Sequence, residues 1–119
     1  MQYEKVHSTT RVLTAAVLAA RFVAYNGAHA SAAAGGTADA QGVSEMAGDA
    51  GQAIPVITGY SAIAEASAAI SAGAYVKPAA DGSGRAVTGS ATDHCGRALT
   101  AASGAGDLFE VEILTHVHP

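Results

Sequence analysis

The stretch GRALTAASGAGDLFEVEIL, Gly96 to Leu114, decides the fold. Its last seven residues alternate, with Phe109, Val111 and Ile113 on one side of an extended chain and Glu110 and Glu112 on the other. That is the pattern of a strand with one buried face. Ahead of it stands Ser103-Gly104-Ala105-Gly106-Asp107. A Walker-type phosphate loop needs G-x-x-x-x-G-K-[ST], and a dinucleotide loop needs G-x-G-x-x-G opening a helix. This segment has no lysine and no third glycine in register, and it opens a strand. Glycine, serine and aspartate here therefore read as a tight turn that delivers the core strand residues Phe109, Val111 and Ile113.

An echo of the same phrase lies upstream. GVSEMAGDAGQAIPVITG, from Gly42, aligns with the stretch from Gly96 at an offset of 54, which becomes 55 after one inserted residue. AAVLAARFVAYNG likewise aligns with AAISAGAYVKPAADG at an offset of about 53. A fixed period of this length predicts an internal duplication of one β unit of about 54 residues. A catalytic loop has little reason to occur twice, whereas a turn entering a core strand does.

The rest of the chain follows the same grammar. Alanine favours helix, and short helical turns are expected at 15–20 and 64–72. Glycine paired with Asn, Asp or Ser, as at Asn26-Gly27 and Asp81-Gly82-Ser83-Gly84, instead cuts the chain into short runs of strand composition. Strands are predicted within AIPVITGYSAIAEA, at Arg21 to Tyr25, Tyr75 to Lys77, Arg85 to Thr88 and Arg97 to Leu99. Pro55 must stand at an edge or among the first residues of its strand. The fold class is all-β, a small β-barrel or jelly-roll-like sandwich. It forms one domain, with 1–9 as an N-terminal arm, 10–114 as the β core and 115–119 as a C-terminal tail.

With 119 residues, only one domain fits. Thirty residues are alanine, against twenty-four Val, Ile, Leu, Met and Phe. Alanine buries little apolar area, so such a core stabilises a monomer modestly, at about 25 cal/mol per Å². Part of the stability is expected from association with copies of itself or a larger partner. Net charge is −4, with six scattered Lys and Arg; no basic stripe exists to displace counterions from nucleic acid. No run reaches the roughly 18 apolar residues of a membrane helix. Lys5 and Arg11 before VLTAAVLAA, with Ala28-His29-Ala30 beyond, loosely imitate a secretion signal, but Arg21 interrupts it. The single Cys95 makes no internal disulfide.

No constellation for catalysis emerges. His94 and Cys95 are adjacent, so an extended chain turns them to opposite faces, which argues against a nucleophile and base pair. Cys95 reads as a small buried residue. His116 and His118 would share one face if the last strand ran on, but a zinc site needs a third ligand; a solvated tail is the simpler reading. Glu110 and Glu112 are a solvated strand face, and Asp81 and Asp107 are turn residues. Metal and cofactor are expected to be absent, and the protein is not expected to be an enzyme.

Through LTAAVLAARFVAYNG, SAGAYVKPAADGSGRAV and GRALTAASGAGDLFEVEIL, residues 10 to 114 resemble the small capsid cement, or decoration, proteins of tailed bacteriophages. The resemblance implies a compact β domain on the outer surface of an icosahedral head, made in the host cytoplasm. It implies the major capsid protein as partner, together with self-association as a dimer or trimer at capsomer junctions. It brings no catalytic residue. MQYEKVHSTT precedes the repeat and is expected to be an arm ordered on a neighbouring subunit, with Gln2, Tyr3, Glu4 and Lys5 as capsid-contact residues. The alternative is a secreted or tail-associated β module recognising a host surface or glycan, with Tyr3, Tyr25, Tyr60 and Tyr75 exposed to do so.

Overall fold

The segments between turn residues form eight strands among the described residues. They are β1 Lys5–Val12, β2 Phe22–Ala24, β3 Ala40–Ser44, β4 Ala53–Glu65, β5 Tyr75–Pro78, β6 Ala86–Thr88, β7 His94–Ala98 and β8 Leu108–Val117. The computed structural model describes residues 2–31 and 36–117. Neighbours in the order β2-β3-β4-β8-β7-β5-β6 are antiparallel, and β1 lies along the first part of β4. The sheet is curled into a half barrel, which agrees with the barrel form of the expected all-β class.

The turn before β8 is built as its residues require. The Asp107 N–H donates to the Gly104 carbonyl at 3.2 Å, the Asp107 carboxylate accepts from the Ser103 N–H at 2.9 Å and from the Ser103 hydroxyl, and Gly106 takes a φ of 86°. Phe109 and Val111 are fully buried and Ile113 partly so. Pro55 is the third residue of β4, where its missing donor is tolerated.

The expected helical turns are not helical. Val17 exchanges both backbone hydrogen bonds with Gly48, and Ile70 does the same with Ala102, all at 2.9 Å. Alanine's helix preference is overridden because the extended pairing buries Val17 and Ile70 in the core clusters of the two units. Among the described residues the only helical segment is a 3₁₀ turn at Gly36–Ala38.

The duplication is visible bond by bond. Leu13 donates to Gln52 and Ala66 to Asp107, both at 2.8 Å; Ala20 donates to Ser44 at 3.0 Å and Gly73 to Ala98 at 2.7 Å. Val43 pairs with Ile57 and Ser44 with Val56, as Arg97 pairs with Glu112 and Ala98 with Val111. Thr9 opposite Val56 and Arg11 opposite Ile54 repeat Ala62 opposite Val111 and Ala64 opposite Phe109. The first strand of the repeat is thus Ser8–Val12 in one unit and Ser61–Glu65 in the next. The units, 8–60 and 61–117, meet in the middle of β4, which ends one and begins the other.

Both expected boundaries move. The chain between Lys5 and Thr9 is a paired part of β1, with Lys5 opposite Tyr60 and Thr9 opposite Val56, because β4 needs a partner on that edge just as β8 does. At the other end β8 runs through Val117, opposite His94. The His116 side chain is 1% exposed, so 115–117 is strand and not solvated tail. His118 and Pro119 lie outside the described residues.

Each unit has its own small core at equivalent positions. Leu13, Val17, Val23, Ile54 and Val56 fill the first; Ala66, Ile70, Val76, Phe109 and Val111 occupy the same places in the second. Leucine opposite isoleucine in one becomes alanine opposite phenylalanine in the other, so volume is exchanged across the core and density is kept.

Candidate functional site

Strand alternation gives the first unit two buried faces. Val23 and Val56 point into its own core, whereas their neighbours Phe22, Ala24, Val43 and Ile57 belong to the cluster that contains the second unit's core. Unit one is therefore sewn to unit two by its outer face. Around that joint the Phe22 N–H donates to Gly84 at 2.8 Å. Arg21 donates to the Ser83 carbonyl at 2.8 Å and meets Glu65 at 3.3 Å, while Arg85 meets the same carboxylate at 3.6 Å.

The equivalent outer face of the second unit carries Tyr75, Lys77, Arg97 and Glu112 in place of Phe22, Ala24, Val43 and Ile57. It is not covered within the chain: Arg97 is exposed and the other three are half-buried. The Arg97 guanidinium lies 4.8 Å from the Tyr75 ring centroid, Tyr75 packs at 4.5 Å from the His94 ring, and Lys77 is paired with Asp93 at 2.8 Å.

A cleft of about 410 Å³ opens where the first unit meets the end of β8, lined by His7, Thr9, Tyr25, Gln41 and Thr58 and by Ile113 to Thr115 of β8. The His7 Nδ1 is 2.7 Å from the Thr58 hydroxyl, and Gln41 Oε1 accepts from Arg11 at 2.7 Å and 3.1 Å. In the second unit the places of Thr9, Arg11 and Gln41 are taken by Ala62, Ala64 and Cys95, all buried in the shared cluster, and that of Thr58 by Ile113, packed against it.

The residues singled out for chemistry are not brought together. Cys95 is buried, and burial pushes its thiol well above the ordinary range, with Asp93 and Asp39 adding to the shift; both disfavour the thiolate that a nucleophile needs. His94 faces the other way, with Nδ1 3.0 Å from the Ser90 carbonyl. His116 Nδ1 accepts the Ala40 N–H at 2.8 Å. Glu110 accepts from the Ser61 hydroxyl at 2.7 Å. Hydrogen bonds from Ser103 hold the Asp107 carboxyl below its usual range, and those from Ser83 do so for Asp81. Among the described residues, no group of three or more His, Cys, Asp or Glu is placed to hold a metal.

The residues of the expected arm lie on their own chain. Tyr3 and Lys5 both reach Glu45, Lys5 at 2.9 Å, and the Glu4 carbonyl accepts from Tyr60 and Ser61. Gln2 is exposed. Tyr3, Tyr25 and Tyr60 are exposed, whereas Tyr75 is partly covered by Arg97 and His94. The cleft residues Thr9, Gln41 and Thr58 carry no motif; only laying the repeats over each other, polar against apolar, singles them out.

No protein-family model matches the chain, and no curated protein sequence is similar to it. Among solved structures it is similar to the crystal structure of the head fiber gp8.5 N base of bacteriophage phi29. The TM-score is 0.63 over 95% of this chain and 98% of that one, with 20% sequence identity. The two share a fold.

Proposed function

We propose that this protein is a structural component of a tailed-bacteriophage head, a non-enzymatic β protein seated on the outer surface of the capsid. The observation that carries the reading is the match of fold, over nearly the whole of both chains, to the base of a phage head fiber. The buried thiol of Cys95 agrees with a binding role. In this reading the protein is a decoration or cement protein that braces the major capsid protein lattice at capsomer junctions, as a dimer or trimer. Each contact is of modest size, about 800 Å² per partner, and bridging several capsid subunits turns weak contacts into firm retention through effective concentration.

The test is binding of the purified protein to undecorated, expanded heads of its cognate phage. Saturable co-sedimentation with a raised temperature of head disruption is the expected result. Absence of co-sedimentation at protein concentrations far above the number of capsid sites would overturn the proposal.

A further inference from the structure

The joint inside the chain is head-to-tail. The outer face of unit one, at Phe22, Val43 and Ile57, is buried in the cluster of unit two, which includes Ala62, Ala64 and Cys95. The reverse contact is not made, since the outer face of unit two carries Tyr75, Lys77, Arg97 and Glu112, of which Arg97 is exposed and the others are half-buried. A heterologous joint between two copies of one fold leaves one surface of each kind unused. Here the unused pair is the outer face of unit two and the cleft of unit one, where Thr9, Arg11 and Gln41 stand in place of Ala62, Ala64 and Cys95.

These two surfaces match in character. The internal joint is apolar on both sides, while the unused pair is polar on both: a tyrosine, an arginine and a glutamate on the face, and threonines, a glutamine and an exposed tyrosine around the cleft. Apolar surfaces are suited to permanent burial in one chain. Polar ones stay soluble in the separate protein and gain hydrogen bonds and specificity on association.

We propose that a second copy of this chain docks the Tyr75, Arg97 and Glu112 face of its second unit into the Thr9, Gln41 and Thr58 cleft of the first unit, repeating between chains the joint within the chain. The proposal deepens the self-association part of the function above and rests on it. Because the contact is heterologous, one copy gives its face and receives through its cleft. Successive copies then close into a ring or run on as a row.

The test uses two variants of the full chain that each add one surface cysteine, Arg97→Cys on the face and Thr58→Cys in the cleft, with the buried Cys95 left in place. Under mild oxidation, a mixture of the two is expected to give a disulfide-linked dimer, while each variant alone stays unlinked. Sedimentation equilibrium of the unmodified protein is expected to show concentration-dependent association, weakened about tenfold in Arg97→Glu. Dimers of Arg97→Cys with itself, or a protein monomeric at every concentration, would overturn the head-to-tail contact. Head binding, measured separately by co-sedimentation, would still stand if only this contact failed.

Discussion

Gly96 has no room for a side chain. A Cβ there would lie 2.7 Å from the Glu112 carbonyl oxygen and 2.8 Å from a Val111 methyl, and Gly42 is crowded in the same way by the Ile57 carbonyl in the other unit. Gly96→Ala is therefore expected to lower stability by about 1–3 kcal/mol, read as a shift of the urea midpoint. Ala20 shows the converse: it holds a φ of 60°, where its counterpart Gly73 takes 85° without strain. Cys95 is expected to resist thiol reagents in the folded protein and to react fully in urea, since burial disfavours its thiolate. His29 accepts the Leu18 N–H at Nε2 at 3.1 Å, and burial, foremost, holds its pKa below the ordinary value of 6.5. The unfolded chain then binds the proton more readily than the folded one. Stability from this group is full above pH 6.5 and is lost as pH falls through the lower folded value. The fall in thermal midpoint over that window is expected to be smaller in His29→Gln.

Two strands with the same role, β4 and β8, show how far a core can vary while its geometry holds. Phe109 in β8 sits where β4 has Ile54, and Ala66 sits where the first unit has Leu13. Phe109→Ala is expected to cost about 3–5 kcal/mol. The milder Phe109→Ile should be partly rescued by Ala66→Leu, which rebuilds the other unit's arrangement, and a double-mutant cycle in urea measures the coupling. β1 is part of this account. Removing residues 1–4 takes away the Tyr3 contact with Glu45 and the Glu4 contacts with β4 but leaves β1. Removing 1–9 also strips most of β1, from Lys5 to Thr9, from β4 and is expected to lower the thermal midpoint clearly further than the shorter truncation.

The two units share a continuous strand, an apolar cluster and the Arg21, Glu65 and Arg85 charge group. One cooperative unfolding transition is therefore expected for the whole molecule, with fluorescence and circular dichroism midpoints coinciding. Glu65→Gln removes the carboxylate shared by two arginines at the joint. It is expected to destabilise by about 1 kcal/mol, because Glu65 and Arg85 keep 23% and 29% of their side-chain surface exposed and solvent screens the pairs in part.

The alternation in 108–114, the turn at 103–107 and the period of about 54 residues were legible in the sequence, because strand periodicity, turn chemistry and duplication are local or self-referential. They led to an all-β fold of two similar halves with Phe109 and Val111 in the core, as found. The residues 15–20 and 64–72 misled, since alanine's local preference says nothing of the distant Gly48 and Ala102 that pair with Val17 and Ile70. The role of 5–9 was hidden for the same reason, its partner lying some fifty residues away in β4. Which face of each unit is covered was decided by tertiary structure alone. Phe22 and Tyr75 occupy the same place in the repeat, and only the packing of one unit on the other buries the first and leaves the second at the surface.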